Sequence, residues 1–266
     1  MKKSKQRIVV KVGTSTLTHD SGALDLRSME RLVRTLADLQ GAGNEVILVT
    51  SGAIAVGTAK LGLAERPREL RMKQAAAAVG QCRMMHIYDK LFSEYNRTVA
   101  QILLTGDDVD DPDRAEHLSG TFSALLEMGT IPIVNENDSV SSAEIETGHH
   151  KVLGDNDTLS AIVAKLCRAD LLVLLSDIDG LYDADPRSHP DARLIHQVHE
   201  LTPQILEMAG GAGSWRGTGG MATKLSAAGI AMGAGCDMVI TNGKRTEDLY
   251  GIVEGADIGT RFLAAR

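Results

Sequence analysis

Two hydrophobic patterns alternate along this chain. Short aliphatic runs are followed by longer stretches whose apolar positions recur every three or four residues. Ile8-Val9-Val10 leads into Lys11 and then a small, hydroxyl-rich turn, Val12-Gly13-Thr14-Ser15-Thr16. Arg27 to Ala42 carries Met29, Leu32, Val33, Leu36 and Leu39, one face of a helix, closed by Gly41-Ala42-Gly43. Glu45 to Thr50 reads as a second strand ending in Ser51-Gly52-Ala53. Strand, helix and strand in this order predict a βαβ unit with parallel strands and a right-handed crossover.

The alternation continues. Pro67 to Tyr95 is rich in alanine and methionine and predicts a long helix, broken once near Val79-Gly80. Its Ala75 to Ala78 run suits close helix packing or a subunit contact. Strands are predicted at Val99 to Leu104, Ile131 to Val134, Asp170 to Leu175 and Asp237 to Thr241, with a short one within Leu194 to Val198. Helices are predicted at Asp113 to Met128, from the Gly154-Asp155-Asn156-Asp157 segment to Cys167, at Pro203 to Met208 and at Met221 to Met232. Ala143 to Gly154 alternates about Thr147-Gly148-His149-His150, as a hairpin would. Gly210 to Gly220 is a glycine-rich loop inside the fold. No repeat or linker interrupts the order. The whole predicts one α/β domain with helices on both faces of a mainly parallel sheet.

Composition narrows the partners. The 266 residues are 43% hydrophobic and 24% charged with a formal net charge of −7, and no long basic run occurs. A nucleic-acid platform is not expected. No apolar stretch approaches the roughly 18 residues of a membrane helix, and no hydrophobic signal region precedes the first strand, so a cytoplasmic protein is expected. Cys82, Cys167 and Cys236 are scattered and odd in number, and read as buried small side chains, not a disulfide framework or zinc site. Asp107 to Asp111 reads as a solvated loop and helix start, and His149-His150 as an exposed tip. No metal site built from side chains is predicted.

The chemistry gathers after the strands. A lysine in a buried strand is costly unless an anion meets it, and the Gly13 turn offers closely approachable amides and hydroxyls. The alternative is a lysine whose stem packs while its head reaches water. Topology predicts that the Gly13 turn, Ser51-Gly52-Ala53, Asn135 to Asp138 and Ser176-Asp177 converge at the carboxyl edge of the sheet. Thr218 to Lys224 is a glycine loop entering a helix with a lysine in its first turn, another arrangement suited to phosphates, or else a connector with an exposed lysine. GxxxxGK[ST] and GxGxxG are both absent. In Asp155-Asn156-Asp157, one acid serves as a helix cap, and a second role is plausible for the other, holding lysines or an amino group. Two lysines with Mg²⁺ suit phosphoryl transfer, which needs positioning and charge neutralisation more than covalent catalysis.

Together, Val10 to Ser15, Thr50 to Ile54, Val134 to Asp138, Gly154 to Asp157, Asp183 to Arg187 and Gly217 to Lys224 closely resemble the glutamate-phosphorylating members of the amino acid kinase family. The resemblance runs from about residue 7 to residue 263 with the motifs in family order. It implies an αβα sandwich, with an amino-acid-binding part at about 1–168 and a nucleotide-binding part at about 169–266. It implies ATP-dependent phosphorylation of the γ-carboxylate of L-glutamate to L-glutamyl 5-phosphate, with Mg²⁺. This is the first step of proline synthesis, with proline as feedback inhibitor and a dimer or tetramer as the assembly.

By resemblance, Lys11 and Lys224 stabilise the transferred phosphoryl group and Asp157 orients them. Ser51, Gly52, Asp138 and Asn156 hold glutamate, with Asp138 on its ammonium. Lys11, Gly13, Ser176, Asp177, Thr218, Gly219, Gly220, Met221, Ala222, Thr223 and Lys224 form the nucleotide side. The chain departs from the family pattern in three places. The sequence ends just after Gly259-Thr260-Arg261-Phe262, so a form without the PUA domain many relatives carry is expected. His117-Leu118-Ser119-Gly120 replaces the usual Leu-Asn-Ala-Arg, and Thr147 to Leu153 is longer than usual. Another carboxylate or phosphate kinase of the same fold is the nearest alternative. A catalytically silent amino-acid sensor would have lost the lysines, which are present.

Overall fold

A computed structural model describes residues 5–140, 155–209 and 220–265. The first half runs β1 (Arg7–Val12), α1 (Thr14–Leu17), α2 (Leu26–Gly41), β2 (Glu45–Val49), α3 (Ala53–Lys60), α4 (Leu70–Ser93), β3 (Val99–Leu104), α5 (Gly106–Asp110), α6 (Pro112–Glu127) and β4 (Ile131–Glu136). The second runs α7 (Asn156–Leu166), β5 (Leu171–Ser176), β6 (Gln197–Val198), α8 (Pro203–Ala209), α9 (Met221–Gly233), β7 (Asp237–Asn242), α10 (Asp248–Val253) and β8 (Thr260–Phe262). The strands form one sheet in the order β3-β4-β2-β1-β5-β7-β8-β6, parallel except where β8 meets β7.

Burial follows from strand geometry. Successive side chains leave a strand on opposite faces. Ile8, Val10 and Val12 of β1 face a core shared with α2, α4 and α10, while Val9 faces the core formed with α6, α7 and α9. Every residue of β5 is buried, as a central parallel strand between two helical layers requires. Lys11 has the parity of Val9. It therefore leaves the sheet on the side of α7 and α9, at the carboxyl end of a strand held between β2 and β5.

Most predicted elements are present within a residue or two. Asp25 caps α2 by accepting from the Ser28 amide at 3.1 Å. The acidic stretch after β3 forms the short helix α5, whose capping box pairs Thr105 with Asp108. Cys167 and Cys236 are buried and burial pushes both thiols up to about 12, whereas Cys82 is exposed, contrary to the expectation for it. The hairpin expected at Ala143 to Gly154 lies outside the described residues.

Two differences share one cause. The predicted break near Gly80 is absent, since α4 is continuous over 24 residues, and α3 was not anticipated. Gly57 of α3 and Gly80 of α4 sit where the two helices touch. A Cβ on Gly57 would overlap the Ala76 carbonyl oxygen, and one on Gly80 would overlap the Ala53 carbonyl oxygen. The glycines let the backbones meet, and that packing outweighs the roughly 1 kcal/mol a mid-helix glycine costs. Ala76 and Ala77 are buried beside this contact, while Ala75 and Ala78 face outward.

Gly57→Ala should therefore lower stability by about 3 kcal/mol or more, read as a fall in the urea midpoint, because the obstacle is backbone. Gly120→Ala on α6, where an added Cβ meets nothing within 4 Å, should leave the midpoint unchanged or raise it slightly.

Candidate active site

The carboxyl edge of the sheet opens into a cleft of about 470 Å³, lined by residues from every loop expected to converge there. Lys11, Gly13, Ser51, Gly52, Asp138, Asn156, Asp157, Ser176, Asp177 and Lys224 all line it. Its centre is an ion triad built on a buried carboxylate. Lys11 Nζ lies 2.6 Å from Asp157 Oδ1, and Lys224 Nζ donates to Asp157 Oδ2 at 3.1 Å. Asp157 is 1% exposed. Burial alone would raise its pKa, but the two ammonium groups hold its carboxyl below the ordinary carboxylate range. Lys11 comes from β1, Asp157 from the first turn of α7 and Lys224 from the first turn of α9.

Local rules place each group. Asp155 caps α7, accepting from the amides of Asp157 at 2.7 Å and Thr158 at 2.9 Å. It thereby leaves Asp157 free for the lysines. Thr223 donates to Asp157 Oδ2 at 3.2 Å or to the Gly220 carbonyl at 2.7 Å, tying the start of α9 to the triad. Gly220 is the N-cap of α9 and has no side-chain cap, so the amides of that first turn are not closed by a side chain.

Gly52 has φ +97°, a left-handed conformation that favours glycine, and a Cβ there would press within 3.1 Å of Thr14 Cγ2. Gly13 has an ordinary φ of −82°. What a Cβ would meet at Gly13 is the Lys11 ammonium, at 3.7 Å, so the glycine keeps space beside that charge and is not needed for the turn. Ser51 donates to the Val12 carbonyl at 3.0 Å and accepts from Thr14 at 3.3 Å, which fixes its hydroxyl between the first two βα turns.

The far side of the cleft is acidic. Burial and the neighbouring Glu136 raise the pKa of Asp138 to about 6, against the pull of Arg66. Arg66 lines the same cleft from the loop between α3 and α4, a position that carries no periodicity or motif in the sequence. On the nucleotide side, Ser176 donates to Asp177 at 3.1 Å, and Arg187 stands 3.8 Å from Asp177. Thr218 and Gly219 lie outside the described residues, and Gly220, Met221, Ala222 and Thr223 do not line the cleft. No trio of metal-binding side chains converges among the described residues, nor is any helix among them long and apolar enough to cross a membrane.

Two cations on one carboxylate, at the start of two helices and beside a glycine turn, leave an excess of positive charge at the floor of the cleft. The chain belongs to the amino acid kinase family, whose sequence profile matches residues 6–242. Its relatives name the acceptor more narrowly. It is 53% identical to the glutamate 5-kinase of Clostridium perfringens over 99% of this chain and 97% of that protein. It is 51% identical to the glutamate 5-kinase of Listeria monocytogenes over 99% of this chain and 95% of that protein. Among solved structures, carbamate kinase from Giardia lamblia bound to AMP-PNP superposes with a TM-score of 0.66 at 17% identity, covering 100% of both chains. That likeness is one of fold.

Asp138 carries a pH signature. A carboxyl whose folded pKa is raised takes up more protons in the folded than in the unfolded state between its ordinary pKa and about 6. Stability therefore falls as pH rises through this window. Asp138→Asn should be more stable than the parent at pH 7, on the order of 1 kcal/mol, with the gain vanishing near pH 4 in chemical denaturation.

Proposed function

We propose that this protein is an ATP-dependent kinase that phosphorylates the γ-carboxylate of L-glutamate, giving L-glutamyl 5-phosphate and ADP. The observation that carries the proposal is the Lys11–Asp157–Lys224 triad beneath the cleft, taken with the glutamate 5-kinase relatives that match nearly the whole chain. One carboxylate between two ammonium groups leaves a net charge of +1 in a buried place. An anionic phosphoryl group meets that excess.

The chemistry needs little else. The γ-carboxylate is ionised at neutral pH, so no general base is required. One of its oxygens attacks the terminal phosphorus of ATP, the bond from that phosphorus to the β,γ-bridging oxygen breaks, and ADP leaves with the electron pair. Lys11 neutralises charge on the transferring group from the amino-acid side and Lys224 from the nucleotide side. Asp157 holds both at fixed distance, so the charges are in place before reaction. Mg²⁺ would arrive on the phosphate oxygens of the nucleotide and shield their charge, as it commonly does where the protein offers few carboxylates.

Glutamate lies, in this reading, between Ser51, Gly52, Asp138 and Asn156, with its ammonium toward Asp138. Residues 1–168 then form the amino-acid part and 169–266 the nucleotide part. Proline closes the same carbon skeleton into a ring and keeps the amine and α-carboxylate, which supports it as an inhibitor at this site. Exposed Met72, Ala75 and Ala78 on α4 support a homo-oligomer.

A screen of ADP release with glutamate, acetylglutamate, aspartate, carbamate and UMP tests the substrate. Glutamate is expected to turn over, and added proline to slow it; turnover of another acceptor without glutamate would overturn the assignment. Lys11→Ala and Lys224→Ala should each reduce kcat by about 10²-fold or more with the fold intact by circular dichroism. Unchanged rates would remove that lysine from the transfer step. Asp138→Asn should raise the KM for glutamate far more than that for ATP. In the parent enzyme the glutamate KM should rise as pH falls below about 6 and Asp138 takes up a proton.

A further inference from the structure

A chain of three buried or part-buried amides lies behind the acidic side of the cleft. Gln81 of α4 is 8% exposed, and Asn135 of β4 is 1% exposed. Asn135 Nδ2 donates to Gln81 Oε1 at 3.0 Å, and Asn156 Nδ2 donates to Asn135 Oδ1 at 3.3 Å and to the Thr50 carbonyl at 2.9 Å.

Backbone groups at the site dictate which way each amide faces. The Thr50 carbonyl can only accept, so the atom of Asn156 beside it is the NH₂ group. The Glu136 amide can only donate, and it donates to Asn135 at 2.9 Å, so that atom of Asn135 is the oxygen. Asn135 is then left with its NH₂ group toward α4, and the atom of Gln81 that receives it is the oxygen. No freedom of rotation remains that keeps all these bonds. The consequence falls on Asn156. Its NH₂ group is spent on the protein, so what it can offer the cleft is Oδ1, an acceptor.

The support on α4 is deliberate in its placement. Tyr88, two helical turns beyond Gln81, shares a 2.9 Å hydrogen bond with the Thr50 hydroxyl. The same helix face therefore holds both ends of the Thr50–Asn156 contact. Gln81 Nε2 is buried and makes no hydrogen bond, which is costly. An apolar residue would avoid that cost, yet would also strand the Asn135 NH₂ group.

We infer that Gln81 is a positioning residue for substrate selection: through Asn135 it holds the Asn156 amide with its oxygen toward the cleft, so that Asn156 and Asp138 together present two acceptors to an amine. The selected chemical class is an amino acid bearing a second carboxylate, over the same diacid without the amine. This rests on the glutamate reading above and adds to it a reason for discrimination that lies outside the cleft wall. A site built from acceptors rejects an analogue lacking the donor, because its buried polar groups stay unpaired.

The test compares L-glutamate with glutarate, the same diacid lacking the amine, in the parent enzyme and in Gln81→Leu, Gln81→Met and Gln81→Glu. The parent should prefer glutamate strongly in kcat/KM. Gln81→Leu and Gln81→Met, which supply no comparable acceptor to Asn135, should cut that preference about tenfold or more. The loss should lie in the glutamate KM, with the ATP KM unchanged. Gln81→Glu keeps an acceptor and should restore much of the preference. A merely structural role would lower turnover of both acceptors alike and leave the ratio intact, and an unchanged ratio in folded Leu or Met variants overturns the inference. If both apolar variants fail to fold, Gln81→Glu still decides, since loss of preference there would contradict the acceptor role. A parent enzyme that turns over neither diacid would remove the glutamate reading and this inference with it, whereas one that turns over both equally would leave that reading standing and overturn this inference alone.

Discussion

Asp157 is the point on which the rest of this structure depends. A carboxylate that is almost wholly buried carries a large desolvation cost, and here two lysines offset it from separate parts of the chain. Those lysines could not be buried without it either. The three charges therefore hold one another in place, and the topology is arranged so that they can. β1 lies mid-sheet, α7 follows the β4 loop, and α9 returns on the same face after β5. Removing the carboxylate would leave a buried and a part-buried ammonium group side by side. Removing one lysine would leave a neutral pair with no excess charge for an anion.

The opposite side of the cleft uses neutral dipoles where the triad uses ions. Gln81, Asn135 and Asn156 form a line of amides whose orientation is set by backbone groups at Thr50 and Glu136. Asp138 stands beside them with its proton affinity raised by burial. One end of the cleft is thus suited to phosphate, and the other to an amine. In the proposed function, a substrate bearing a carboxylate at one end and an ammonium at the other spans the two. Both sides rest on packed helices: α3 meets α4 at backbone contact through Gly57 and Gly80, and α7 is tied to α9 by the side chains of Asp157 and Lys224.

Much of this was legible in the chain. Lys11, Asp157, Lys224 and the four strand-end loops stand out because charge or glycine interrupts an apolar pattern, and topology alone sends strand ends to one edge. The amphipathic helix α2 was readable within a residue because its apolar stripe is regular and Gly41-Ala42-Gly43 closes it. Helix α3 was not, because Ala53 to Lys60 is small and nearly uniform in polarity and has no stripe to read. Gly80 looked like a break because a glycine in a helix is locally unfavourable, and its use lies in a neighbour distant in sequence. Arg66 and Gln81 gave no signal for the same reason.

Sequence by itself determined the order of elements, the parity that sends Lys11 to one face of the sheet, and the residue types able to meet a phosphoryl group. These are local properties, set by side-chain spacing and backbone preference. The tertiary structure decided how closely Asp157 holds the two lysines, which glycine the backbone requires, and which end of the Asn156 amide is spent on the protein. Each of those depends on the distance between groups far apart in the chain, and burial makes that distance costly to change.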